Sequence, residues 1–129
     1  MKIFISSKSA YSLGDSVIER FASIKNKSYT VLIGDDDELI QSYFVGYKNV
    51  VVYAANGKAK NNVGGWEVKA VEAMVNDCDC GYVLLVNENA VSKGNIDKVI
   101  RQGKVCVVHE YSKGVWRNPI RRRLKSCEV

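Results

Sequence analysis

Residues 81–111 read GYVLLVNENAVSKGNIDKVIRQGKVCVVHEY. An unbroken apolar run, GYVLLV (81–86), gives way to polar turn residues. A stretch with Ile96, Val99 and Ile100 at helical spacing follows, and then a second apolar run, VCVVHEY (105–111). Short apolar runs rich in β-branched residues read as strands buried on both faces. Strand, helix and strand joined by short turns make a right-handed βαβ unit with parallel strands. The helix of this unit is NIDKVIRQG (95–103), with Asn95 as N-cap and Gly103 as the stop.

The same alternation extends towards the N-terminus. KIFIS (2–6), YTVLIG (29–34) and NVVVYAA (49–55) are further strand candidates. GDSVIERFASIKN (14–26) lines up Val17, Ile18, Phe21, Ala22 and Ile24 on one stripe, with Ser12 and Ser16 as N-cap candidates. DDELIQSYFVG (36–46) and WEVKAVEAMVND (66–77) supply two more helices. Strand–helix alternation predicts an α/β fold: a single doubly wound, mostly parallel five-stranded Rossmann-like sheet with helices on both faces, over residues 1–111. Residues 112–129 are read as a basic C-terminal tail.

Composition and charge narrow the function classes. The 129 residues are 47% hydrophobic and 26% charged, as in ordinary globular proteins. No apolar run approaches the roughly 20 residues of a membrane span, and MKIFISSKSAY lacks the features of a signal peptide, so a cytoplasmic protein without membrane association is expected. Four cysteines and one histidine, without C-x-x-C pairs, predict reduced thiols and no metal site. The net charge of +5 resides in SKGVWRNPIRRRLKSCEV (112–129), which holds six Lys/Arg against Glu128 alone. The body, with no basic excess, is a poor nucleic-acid face. The tail, through Trp116 and Arg121–Arg123, keeps nucleic acid as a weaker alternative partner.

In open α/β sheets ligands bind beyond the carboxyl ends of the strands, where strand order reverses. The residues that follow the strands are polar and glycine-bearing. Ser92, Lys93, Gly94 and Asn95 form a strand-to-helix corner where free amides and a helix dipole favour an anion, Gly94 allows close approach and Lys93 adds charge. The alternative is an ordinary turn with an Asn cap. In IGDDDEL (33–39), Asp35 and Asp36 are placed to accept ribose hydroxyls, while Asp37 and Glu38 suit a helix's first turn. In NGKAKNNVGGWE (56–67), Trp66 is either core or a stacking ring, and Glu67 is either a dipole carboxylate or a general base. His109, after two valines, reads as structural.

Taken together, the S-S-K-S turn after the first strand, TVLIGDDDELIQSYF, Y-K-N-V-V-V-Y-A-A-N-G-K-A-K-N-N-V-G-G-W-E-V-K and D-x-G-Y-V-L-L…S-K-G-N-I…GKVCVV resemble the SLOG superfamily. This is the Rossmann-like group of the LOG nucleotide phosphoribohydrolases, the DNA-processing protein Smf and the YpsA-like proteins, the last being the nearest. The resemblance spans residues 1 to about 111. It implies a nucleotide-derived ligand of the ADP-ribose or signalling-nucleotide type. By position it implies roles for Ser6, Ser7 and Lys8, for Gly34 and Asp35, for Asn62, Trp66 and Glu67, and for Ser92, Gly94 and Asn95.

Where the hydrolytic LOG members carry a catalytic glutamate, this chain has Lys98, with Asp97 one residue early. A lysine cannot stabilise an oxocarbenium-like centre as a carboxylate does. The expectation is therefore a cofactor-free binder that senses or sequesters its ligand, self-associates and has a possible mobile-element origin. N-glycosidic cleavage or transfer by Glu67 or Asp97 is the alternative.

Overall fold

The computed structural model describes residues 1–8, 13–53 and 67–124, with side chains from residue 70 onward in the last segment. Asn62, Trp66 and the side chain of Glu67 therefore lie outside the described residues, as do Ser12 and Cys127.

The chain runs β1 (Lys2–Ser6), α1 (Asp15–Asn26), β2 (Thr30–Gly34), α2 (Glu38–Tyr43), β3 (Val50–Tyr53), α3 (Glu67–Asp77), β4 (Cys80–Val86), α4 (Ala90–Arg101) and β5 (Cys106–Ser112). Two short strands follow, β6 (Val115–Trp116) and β7 (Ile120–Arg122). The fold is α/β with a mostly parallel sheet in the order β3-β2-β1-β4-β5, and β6 and β7 both pair antiparallel with β5. Among the described residues the sheet thus has seven strands of mixed direction rather than the expected five; β1–β5 are parallel, and the two additional strands are antiparallel. The expected boundary at 111/112 falls inside β5, and residues 115–122 of the basic segment return to the sheet.

Strand alternation divides the apolar residues between two cores. Phe4 and Leu32 point to one face, with Val83 and Val108, where Ala70, Val71, Met74 and Val75 of α3 and Ile96 and Val99 of α4 cover them. Ile3, Ile5, Val31, Ile33 and Leu84 point to the other, under Val17, Phe21 and Ile24 of α1 and Ile40 of α2. Most of the helical stripe residues expected from sequence are buried because only those faces exclude water from the sheet, but Ala22 of the expected α1 stripe is exposed and Ile18 only half-buried. The chain steps outward from β1 to β3, then α3 returns it across the sheet to β4 on the far side of β1. The order therefore reverses between β1 and β4.

Three local expectations change. Helix α4 begins five residues earlier than expected, at Ala90, with Asn89 rather than Asn95 as its N-cap. Asn89 Oδ1 accepts from Ser92 N at 3.1 Å, and Asn95 is a buried residue of the second turn. Ser92, Asn95, Ile96 and Val99 form the buried stripe, and this burial outweighs the roughly 1 kcal/mol cost of Gly94 in a helix. Helix α2 is shorter than its apolar pattern, and Gly46 with φ +82° ends the turn after it. Helix α1 is capped by Gly14, with no side-chain cap bond, while Ser16 lies in its first turn.

Cys78, Cys80 and Cys106 are free thiols. Burial pushes the Cys78 thiol up to about 11 and the Cys106 thiol up to about 12. Iodoacetamide near pH 8 is accordingly expected to spare both in the native protein and to label both in urea, because only the thiolate reacts. Peptide mass mapping reads the outcome.

Candidate functional site

The reversal point brings together polar side chains that sequence distance keeps apart. β1 pairs with β2 through Lys2–Phe4 and ends at Ser6, which pairs with Val83 of β4. Ser6 and Ser7 are buried. Asn95 of α4 reaches across from the second helical turn and donates from Nδ2 to Ser6 Oγ at 3.2 Å. One turn earlier on the same helix face, Ser92 is fully buried and its hydroxyl has no hydrogen-bond partner among the described residues. A buried polar group left unpaired costs about 1–3 kcal/mol, and cores rarely keep one without use.

The turn that aims α4 at this point is tight. Asn87 and Glu88 both adopt positive φ, 48° and 56°. Left-handed backbone at a non-glycine residue costs about 1–2 kcal/mol, and such strain concentrates at functional turns. Asn87 N donates to Tyr111 O and Asn89 N to Val86 O, which lock the turn against β5 and β4. The corner is therefore Asn87–Asn89, and the expected S-K-G-N corner is the start of the helix itself.

The other side of the reversal point is acidic. Gly34 closes β2 and the chain turns through Asp35, Asp36 and Asp37. Asp37 Oδ2 accepts from Ser7 N at 3.0 Å and Asp37 Oδ1 from Ser7 Oγ at 2.7 Å. Burial raises the Asp37 carboxyl above its usual range, the Ser7 bonds pull it back, and neighbouring Asp36 raises it further. Lys8 pairs with Asp36. Ser6, Lys8, Gly34, Asp36, Asp37 and Asn95 line a cavity of about 20 Å³. That volume holds one water molecule. The segments following β1 and β3 in the chain, 9–12 and 54–66, lie outside the described residues.

Of the residues expected to act, Ser6, Ser7, Lys8, Gly34, Asp36 and Asn95 converge here. Asp35 is exposed and engages through its backbone, its N–H donating to Tyr53 O. Lys93 is exposed and lies 3.5 Å from Glu88. Asp97 faces solvent on the side of α4 opposite Asn95. Gly94 has open space where a Cβ would be. Gly94→Ala is therefore expected to stabilise the protein by about 1 kcal/mol, read as a higher urea midpoint. Sequence reasoning missed Asp37, Asn89 and a second cluster around His109.

His109 is fully buried on β5. Its Nδ1 lies 2.8 Å from Tyr82 Oη and its Nε2 3.2 Å from Ser16 Oγ. Trp116 of β6 packs edge-on against its ring at 5.3 Å and against Tyr111 at 5.1 Å. The Trp116 indole, read from sequence as part of a tail able to touch nucleic acid, is thus held in a protein contact.

No protein-family model matches the sequence, and no curated protein or solved structure matches it either. Among the described residues there is no group of His, Cys, Asp and Glu suited to a metal ion, and no helix long and apolar enough to cross a membrane.

Proposed function

We propose that this chain binds a nucleotide-derived small molecule at the carboxyl-terminal edge of a doubly wound, Rossmann-like sheet, in the manner implied by its SLOG resemblance. The observation that carries the reading is the Ser6–Asn95 hydrogen bond beside the orphan hydroxyl of Ser92, buried where strand order reverses. Buried hydroxyl and amide donors beside a helix N-terminus suit the oxygens of a phosphate. Lys8 supplies a cation, and Asp35 and Asp36 accept ribose hydroxyls. Asn62 and Trp66 keep the roles that the resemblance implies.

Binding without cleavage is favoured because Lys98 stands where a catalytic glutamate would, and because Asp97 faces solvent. Sensing or sequestration by a self-associating cytoplasmic protein completes the reading.

Native mass spectrometry of freshly purified protein, followed by denaturation and identification of what is released, is the test. An intact nucleotide derivative supports the reading, and Asn95→Ala is expected to weaken added ADP-ribose by about tenfold. In Gly94→Ala the new methyl group is expected to weaken the same ligand while raising stability. A preparation that releases nothing and binds no member of a nucleotide panel overturns the reading. Release of cleaved base or sugar phosphate would instead point to N-glycosidic cleavage. For that reaction Glu67 and Asp97 are the carboxylates that the sequence offers.

A further inference from the structure

At the opposite edge of the sheet the topology leaves a groove. After β5 the chain does not cross the face that carries α1; it folds back at the edge as β6 and β7. Trp116 and His109 close the upper part of that face. Below them a cavity of about 480 Å³ opens between α1, the starts of β4 and β5, and β7. This volume lies within the roughly 300–1,000 Å³ of small-molecule sites.

Its walls combine an apolar floor with unmatched positive charge. Ile3, Ile24, Tyr29, Tyr82 and Val107 supply apolar surface. Arg20, Lys27, Lys104 and Arg121 line the same cavity, with Asp79 as the one lining carboxylate among the described residues. Two of these charges are already engaged. Lys104 Nζ donates to Val75 O at 2.6 Å and to Asn76 O at 3.0 Å at the end of α3. Asp79 Oδ2 accepts from Lys2 N at 2.7 Å. Lys27 sits just past α1 and complements its helix dipole, with its ammonium 5.9 Å from the Tyr29 ring centre.

Arg20 and Arg121 have no such account. The Arg20 guanidinium lies over the Tyr82 ring at 5.4 Å, which fixes it at the cavity wall. Among the described residues neither arginine forms an ion pair. Guanidinium groups are built for bidentate contact with carboxylate or phosphate, and the low-dielectric floor strengthens that attraction.

We infer that this groove is a second binding site, for a small organic anion with an apolar body. The ring or chain lies on Tyr82, Ile24 and Val107, and the charged head meets Arg20 and Arg121. The site is independent of the nucleotide reading and lies at the other edge of the sheet.

The test titrates the full chain with 1-naphthyl phosphate, with neutral naphthalene-1-methanol as control, followed by two-dimensional amide NMR. Shifts are expected at Arg20, Tyr82, Val107 and Arg121. The Arg20→Gln/Arg121→Gln double variant is expected to weaken binding by at least about tenfold, whereas Asn95→Ala leaves it unchanged. Both arginine changes are at the surface of the groove, and unchanged thermal unfolding confirms that the fold is retained. Equal binding of the neutral alcohol overturns the inference. So do shifts confined to residues 90–95, or none up to about 5 mM probe. A dimer dissociated by the double variant would overturn it in favour of a second copy as the occupant.

Discussion

Phe21→Ala is expected to destabilise the protein by about 3–5 kcal/mol, among the largest losses any single core truncation here should give. Phe21 is 1% exposed at the centre of the α1 face. Its ring centre lies 5.0 Å from Phe44, 6.0 Å from Tyr82 and 6.1 Å from Tyr43, so it joins α1 to α2 and to β4. Alanine removes the apolar transfer energy of a whole ring and leaves a cavity among aromatic groups that cannot collapse into it. Phe21→Leu keeps most of the volume and is expected to cost less than about 1.5 kcal/mol. Against a total stability of about 5–15 kcal/mol, the alanine variant would be marginal at 37 °C. Urea unfolding of the three proteins decides the matter. A loss below about 1 kcal/mol in Phe21→Ala would mean that this ring does not hold the aromatic cluster together.

The contrast between what sequence and structure each disclose follows from range. Apolar runs such as GYVLLV and YTVLIG announce β4 and β2 because a parallel strand covered on both faces has no polar side to present. The stripe Val17–Phe21–Ile24 announces the inner face of α1 in the same way. β6 and β7 were not legible: two and three residues long, with exposed Ile120 and two arginines in β7, they carry no periodicity. Their pairing depends on β5 offering an open edge, a tertiary fact. The start of α4 was misread because Ser92 and Gly94 look like turn residues locally, whereas the buried stripe through Ser92, Asn95 and Val99 makes them helical.

The candidate site was legible in part for the same reason. Its strand-end residues could be assigned because topology places them at one edge. The partners could not. The Asp37–Ser7 bonds span 30 positions and the Asn95–Ser6 bond 89, and no local signal encodes either. Asp37 looked like a helix-dipole acid, which its position before α2 also permits, yet its side chain makes no cap bond and serves Ser7 instead.

Stability is expected to fall as pH drops below about 6.5, and His109 is expected to be the main cause. In the unfolded chain this imidazole titrates near 6.5. In the folded protein burial lowers its pKa, and the nearby Arg20 charge lowers it further. The native state therefore binds fewer protons than the unfolded state between the depressed value and about 6.5. In that window unfolding takes up a proton, and stability declines by up to about 1.4 kcal/mol per pH unit. A backbone hydrogen bond with Arg117 opposes the shift without reversing it, and the other groups packed around the ring do not offset it. Tyr82 keeps its phenol neutral because burial raises its pKa, Ser16 is uncharged, and Trp116 closes the remaining side. Asp37 acts with the opposite sign, since its raised carboxyl makes the native state bind protons more readily, but only in the acid range above its unfolded value near 3.8. His109→Gln removes the titration while keeping an amide that can bond to Tyr82. That variant is expected to start less stable at neutral pH and to show a flat profile from about pH 7 to 5. Urea midpoints across that range separate the cases. If the wild-type slope persists in the glutamine variant, the acid sensitivity belongs to another group and His109 is silent in this range.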